Sequence, residues 1–546
     1  MESPPYTLTY PVAYHADGGA ILATLAAQRV IATIDGRPAD AVLLDSADID
    51  ARNQLTTIVM LEASLRVTCT GSEVVAEVLP HAESDGQAGL DRLASALPDA
   101  IRERTATTLR LNLPVRGDNH TATNYEEHER LQAISTLEPL RILANASVDH
   151  PHLPLEVGVF AFDYVAAFEP LPRVGKGLNT CPDYLFYDTR IMLVIDHPTK
   201  QATLVGVSHD QTALALRLDQ IAKALTTVNN RVGVQKLDRS PQVHTRSIGH
   251  TKEIHAIPTI SDTDFCATVT QMRSHIEAGD IYQVVPSRGF TMPCPDTLGA
   301  YRILRDANPS PYMFYLGTPT FELAGASPES SLLYSTAPGK VAIRPIAGTK
   351  PRGLTADGSV DHERDTRLEL ELRTDEKELA EHIMLVDLAR NDVARVSTPG
   401  TRRVSALMRV DRYSRVMHLV SEVTGELASD LDALDAFRAS MTMGTLTGAP
   451  KLRAAALIRE SEGIRRGSYG GAVGYLRGDG EFDTCIVIRS AFVKDGIALV
   501  QSGAGVVHSS VPEMETAETV HKARAVLEAI AKSQGAVLVI NQDGEC

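Results

Sequence analysis

Strand-like runs dominate this chain, and they do not alternate with helices. Runs at Ala41–Leu44, Val157–Phe162 and Ile191–Asp196 are followed, after a polar stretch, by Phe321–Ala324, Val341–Pro345, Ala472–Leu476, Thr484–Arg489 and Ile497–Gln501. Parallel strands need a crossover, usually a helix, between neighbours, and that regular beat is missing. The expected class is therefore α+β with large, mainly antiparallel sheets. A helical stretch at Thr212–Thr227 precedes Asn229–Lys252, a polar and poorly periodic segment that reads as a linker between regions 1–240 and 255–532.

Two helices in the second region carry the sharpest chemical signal. One is expected to start at Asp375, where Asp375-x-x-Glu378 forms a capping-box pattern, and to run to about Arg395 with Leu379, Ile383 and Val386 at helical spacing. The other is expected to start at Ser510, with Ser510-x-x-Glu513 as its box, Pro512 in the first turn, and Met514, Leu527 and Ile530 inward. Each helix sets two glutamates three residues apart on one face: Glu378 with Glu381, and Glu515 with Glu518. Two solvated faces would account for such pairs. A shared cation also would, and Glu381 is embedded in the run His382-Ile383-Met384-Leu385-Val386, which favours the cation. Carboxylate-only ligation selects a hard ion, Mg²⁺ rather than zinc. Glu378-x-x-Glu381-His382 also lacks the paired histidines of a zincin helix.

Composition removes several other classes. A formal net charge of −16 speaks against nucleic acid as a partner, and it requires a local cation if the ligand is an anion. Six cysteines without CxxC spacing argue against zinc and against a disulfide framework. No window approaches the ~18 apolar residues of a membrane span, and no signal peptide is read at the N-terminus. A reducing cytoplasm is the expected compartment. Gly444-Thr445-Leu446-Thr447-Gly448-Ala449-Pro450-Lys451 has the wrong spacing for a phosphate loop, and Gly503-Ala504-Gly505 lacks the third glycine of a dinucleotide fingerprint. Glycines that end strands can instead offer bare N–H groups to a carboxylate.

Four longer strings appear in order: Pro345-Ile346-Ala347-Gly348-Thr349, Asp387-Leu388-Ala389-Arg390-Asn391-Asp392, Gly467-Ser468-Tyr469-Gly470-Gly471-Ala472-Val473-Gly474-Tyr475, and Asp483-Thr484-Cys485-Ile486-Val487-Ile488-Arg489. Together they resemble the chorismate-utilising enzymes, and within them the anthranilate synthase component I family of enteric-bacterial type, along nearly the whole chain. The resemblance implies two intertwined domains in a sandwich-like arrangement, the N-terminal one completing an inhibitor site. It implies that Glu381 and Glu518 hold magnesium, with Glu378 and Glu515 orienting its waters. Chorismate would be bound by Gly348, Thr349, Tyr469, Arg489, Gly503, Ala504 and Gly505.

The resemblance also assigns chemistry. Glu329 would be the general acid for loss of the C4 hydroxyl, which leaves poorly as hydroxide. His418 would contact the ring and assist proton removal from C2. Gln283 stands where water-using isochorismate synthases carry a lysine; an amide is no base, which suits ammonia. Aminodeoxychorismate synthases carry a lysine where this chain has Ala347. Asp45, Ser46, Pro311, Tyr312 and Met313 match the family's tryptophan-inhibition site, with Asp45 replacing a usual, longer Glu. None of the cysteines lies in a Gly-x-Cys-x-Gly nucleophile turn, and the resemblance implies that a separate glutaminase subunit supplies ammonia within an α₂β₂ heterotetramer. The alternatives are an aminodeoxychorismate or isochorismate synthase, and an inactive tryptophan-sensing subunit. The chain also has no tryptophan, an economy for an enzyme made when tryptophan is scarce.

Overall fold

The computed structural model describes residues 4–46, 55–115, 127–146, 148–232, 252–355, 359–413 and 416–541. Within them, 23 strands join one hydrogen-bonded network, and every pairing of those strands is antiparallel except Glu253–Pro258 against Val537–Ile540. The α+β class and the antiparallel bias are thus what the absent βαβ beat implied.

Strands from the two halves of the chain interleave. Leu155–Phe160 is buried at every position. It needs no polar face because it lies between Tyr184–Asp188 and Ala472–Arg477, with sheet on both edges. Ala41–Asp45 pairs with Tyr312–Gly317, which sets Asp45 opposite Met313. One of the two large core clusters likewise joins Leu22, Leu43 and Leu193 to Tyr301, Leu527 and Ile530. Burying such side chains contributes roughly 1.5–3 kcal/mol each, so neither half of this core is complete alone.

Several boundaries move. The run read as Val157–Phe162 is the strand Leu155–Phe160, and Phe162 opens a short 3-10 turn. The Thr484–Arg489 run leaves the strand at Ile486, which frees Arg489 for another conformation. Helix Gln211–Val232 absorbs the first residues of the expected linker, and its remainder, 233–251, lies outside the described residues. Four cysteines, Cys69, Cys181, Cys294 and Cys485, are free buried thiols, whereas Cys266 is disulfide-bonded. No described helix is long and apolar enough to cross a membrane.

Both acidic helices form, with corrections. The first runs Glu376–Ala394, and Glu378 N donates to Asp375 Oδ1 at 3.2 Å, as a cap requires. Its buried stripe is His382, Leu385, Val386, Ala389 and Val393, and Ile383 is exposed. The second runs Pro512–Ser533 and is capped by Val511 without a side-chain bond. Ser510 Oγ accepts from Val507 N instead, so the expected box does not form. Met514 is 67% exposed, and the inward positions in that turn are Glu515 and Thr516. Hydropathy chose the wrong residue there because this end of the buried face is polar.

Candidate active site

The two helices and the strands Ile346–Pro351, Val416–Glu426 and Ile497–Gly503 enclose a cavity of about 650 Å³. Glu378 and Glu381 line it from one helix, Glu515 and Glu518 from the other. Neighbours must come close for this to happen. Gly348 adopts φ +77°, and a Cβ there would sit 2.8 Å from Leu372 Cδ1 and 3.2 Å from Glu378 Oε2. At Gly505 a Cβ would lie 3.0 Å from Gln283 Nε2 and 3.3 Å from Glu381 Oε1. Those two groups are themselves hydrogen-bonded, Gln283 Nε2 donating to Glu381 Oε1 at 2.9 Å.

Against these carboxylates stand few cations. Lys522 pairs with Glu518 at 2.6 Å, one helical turn away. Arg489 lines the cavity with φ +49°, a left-handed backbone that costs a non-glycine on the order of 1 kcal/mol. Its guanidinium makes no hydrogen bond or ion pair among the described residues. Burial lowers its pKa from the ordinary value while Tyr469 and Glu518 oppose the fall; a guanidinium remains charged regardless. A strained, half-buried cation without an ion pair among the described residues is suited to receive an anion.

No three His, Cys, Asp or Glu side chains among the described residues close on one point as a preformed metal cage. The donor chemistry nonetheless fits a hard ion. The four glutamates that the two helices present to the cavity offer carboxylate oxygens alone, and Mg²⁺ commonly keeps several waters and takes only one or two protein carboxylates.

Glu329 is 7% exposed, and burial pushes its carboxyl up to about 8. The Thr445 side chain, the Ile346 N–H and the charge of Lys522 oppose that rise in part. At neutral pH it is a carboxylic acid, able to give a proton. His418 behaves in the opposite sense. Burial, with Arg489 nearby, lowers it to about 4, although a bond with the Gly348 backbone pulls upward. It is a neutral imidazole, with Nδ1 2.9 Å from Thr349 Oγ1.

The cavity therefore gathers Gln283, Glu329, Gly348, Thr349, His418, Tyr469, Arg489, Gly503, Gly505 and the four acidic residues. Ala504 is fully buried between its two glycines. Sequence reasoning missed Thr445, Gln501, His521 and Lys522, which also line it. The Glu518–Lys522 spacing was a signal available in the sequence.

Asp45, Ser46, Pro311, Tyr312 and Met313 come together elsewhere, along the Ala41–Asp45 and Tyr312–Gly317 pairing. Ser46 Oγ donates to Pro311 O at 2.9 Å, and Tyr312 Oη donates to Asp483 Oδ1 at 3.1 Å. Asp45 is fully engaged: Oδ1 accepts from Ser46 N and Thr57 Oγ1, and Oδ2 accepts from Arg305 Nε at 2.5 Å.

The model of the chorismate binding enzyme family matches residues 100–528. The chain is 47% identical to anthranilate synthase component 1 of Escherichia coli, over 92% of this chain and 93% of that one. It is 46% identical to anthranilate synthase component 1 of Vibrio cholerae, over 90% and 91%. Among solved structures, anthranilate synthase component I from Streptococcus pneumoniae superposes with TM-score 0.61 at 27% identity, covering 88% of this chain and 92% of that one. The menaquinone-specific isochorismate synthase of Escherichia coli shares the fold, with TM-score 0.60 at 16% identity over 97% and 96%. A family model spanning most of the chain, and relatives matched nearly end to end, lead to one conclusion: the chain belongs to the chorismate binding enzymes, within the anthranilate synthase component 1 family.

Proposed function

We propose that this chain is the synthase subunit of an anthranilate synthase, converting chorismate and ammonia to anthranilate and pyruvate, with tryptophan as its inhibitor. The observation that carries the reading is a buried carboxylic acid, Glu329, sharing a cavity with an unpaired Arg489 and four further carboxylates. Chorismate is a dianion. Four carboxylates against Arg489 and Lys522 leave the cavity short of positive charge, so a divalent cation is needed before such a substrate binds well. Bound there, Mg²⁺ would supply that charge opposite the ring carboxylate, held by Glu381 and Glu518 with Glu378 and Glu515 orienting its waters.

Arg489 grips the enolpyruvyl carboxylate through its fork of donors, and the Gly503–Gly505 backbone adds N–H groups. Gly348, Thr349 and Tyr469 border the ring. Ammonia attacks C2 as Glu329 protonates the departing C4 hydroxyl, which leaves as water; a positioned acid is worth about 10²–10⁴ in rate. The product of that step is an aminodeoxyisochorismate. His418, uncharged, then assists removal of the C2 proton as the C3–O bond breaks, and pyruvate departs from an aromatic ring. Gln283 turns an amide rather than a base towards this space, which suits a nucleophile that needs no deprotonation before attack.

The numbered component in the relatives' names supports a partner subunit. We assign that partner as a glutaminase supplying ammonia, in an α₂β₂ assembly in the cytoplasm. The Asp45 cluster is the proposed tryptophan site. The test is an ammonium-dependent assay with chorismate and Mg²⁺. Fluorescent anthranilate, abolished by EDTA and reduced by tryptophan, is expected. Isochorismate or aminodeoxychorismate as the only product would overturn the reading.

A further inference from the structure

A second, much smaller cavity of about 20 Å³ also borders Glu329 and shares Leu385 and Thr445 with the larger one. Glu329, Ser330, Thr445 and Asp392 supply its polar wall, and Leu385 and Leu388 are among its apolar neighbours. It has room for one water, which needs two to four polar partners to stay. One partner is ready: Ser330 Oγ is buried and has no hydrogen-bond partner among the described residues.

Beyond this cavity the polar chain continues. Lys451 Nζ donates to Asp392 Oδ2 at 2.7 Å and to Ser440 O at 2.9 Å. Asp392 is buried, and Lys451, with a side chain 10% exposed, is the member of the pair nearer to solvent. Lys451 closes the glycine-rich stretch that failed as a phosphate loop, and Asp392 closes the Asp387–Asp392 string. Neither touches the ring site, so the reaction as derived leaves both without a task.

We propose that Lys451 and Asp392 form a proton relay that recharges Glu329 after each turnover, through one water held by Ser330 in the small cavity. The inference rests on Glu329 being the acid of the proposed reaction. That acid is left as a buried carboxylate once the C4–O bond has broken and water has gone, and ring ligands block its front. Reprotonation then runs through the small cavity. Asp392, having taken a proton from Lys451 Nζ, passes one to the water, and the water passes one to a Glu329 oxygen. Neutral Lys451 regains its proton from solvent, so protons and charge balance over the cycle. Asp392 and Lys451 act through Glu329 and are positioning residues.

The groups facing this path are few. Lys522, the Thr445 hydroxyl and the Ile346 N–H face Glu329, and Arg395 is the other charge near Asp392 and Lys451. Burial raises Asp392 and lowers Lys451 from their ordinary values, which brings the two closer to sharing a proton.

Ser330→Val tests the relay in the full chain by filling the water site without stranding a charge. With chorismate, Mg²⁺ and ammonium, kcat is expected to fall about 10-fold or more while KM for chorismate stays within about twofold. The alkaline limb of kcat should move to lower pH, and kcat should come to depend on buffer concentration as small acids reprotonate Glu329 from the front once the product has left. Asp392→Asn should do the same where it folds, although it leaves Lys451 buried and unpaired. A folded Ser330→Val enzyme with wild-type kcat, or with buffer-independent kinetics, overturns the relay. Glu329→Gln separates the two readings: if it keeps turnover, the acid assignment falls and takes the relay with it. If it loses turnover while Ser330→Val does not, only the relay falls.

Discussion

In the cavity around Glu329 some polar groups lack partners among the described residues; at Asp45 they already have them. Among the described residues Arg489 makes no ion pair and buried Gln283 Oε1 accepts no hydrogen bond, while burial keeps Glu329 protonated at neutral pH. At Asp45 a side chain equally removed from water accepts from Ser46, Thr57 and Arg305. An unmet buried group costs about 1–3 kcal/mol, and a ligand that satisfies it recovers that cost on binding. A saturated group offers a ligand nothing until something moves. The first region is therefore preorganised for its ligand, whereas the second is a closed arrangement that a ligand must open.

The severest way to break this contrast is Glu381→Gln. It removes one proposed metal-holding charge and leaves the Gln283 contact able to re-form as an amide pair. Metal contributes several kcal/mol of charge stabilisation, so turnover should fall by about 10³-fold or more. Tryptophan binding, followed by calorimetry, should survive, because Asp45 lies in the other region. Persisting turnover would refute the metal assignment.

Glu329→Gln comes next, with a loss of about 10²–10⁴ in kcat. In the wild type, kcat at constant free ammonia should decline as pH rises through about 8, where burial has placed this acid. The stability signature has a definite sign. The folded-state value lies above the ordinary 4.5, so the stability this group contributes is full below 4.5 and is lost as pH climbs through about 8. Glutamine has no such proton. The Tm of Glu329→Gln relative to wild type should accordingly rise between pH 6 and pH 9, and a flat difference would show that the carboxyl is not held neutral.

Much of this was legible in the residues, and what was not has a physical cause. The missing βαβ beat told the sheet type, and two Glu pairs at helical spacing told which helices face each other. Met514 and Ile383 were misjudged because hydropathy locates a buried stripe, and here the stripe near the site is Glu515, Thr516 and His382. The Ser510 box failed because its hydroxyl bonds Val507 in the preceding turn, a local competition that spacing does not reveal. Arg305 could not be foreseen as the partner of Asp45, since 260 residues separate them and only the sheet register brings the two segments together. The raised pKa of Glu329 was equally invisible, because burial of a strand-end carboxylate is decided by distant chain.

Arg489→Lys sharpens the contrast with a smaller effect. Lysine keeps the charge and loses the two-pronged donor set, so KM for chorismate should rise about 10-fold to 100-fold, with kcat changed less. Initial-rate kinetics at saturating ammonium check it. An unchanged KM would mean that Arg489 serves the fold rather than the substrate.

The smallest effect tests the closed region. If tryptophan's ammonium is to reach Asp45, it must take the place of Arg305 Nε, now 2.5 Å from the carboxylate. Arg305→Met removes the competitor and leaves a buried charge without its ion-pair partner, which lowers the Tm of the free protein. Tryptophan then restores what was lost, so its half-inhibitory concentration should fall about 3-fold to 10-fold, worth roughly 0.6–1.4 kcal/mol. The rise in Tm on adding tryptophan should be larger than in the wild type for the same reason. Asp45→Asn, made alongside, should abolish that gain, because without the negative charge neither Arg305 nor an ammonium has anything to compete for. Equal half-inhibition in wild type and Arg305→Met would place the inhibitor's amino group somewhere other than Asp45.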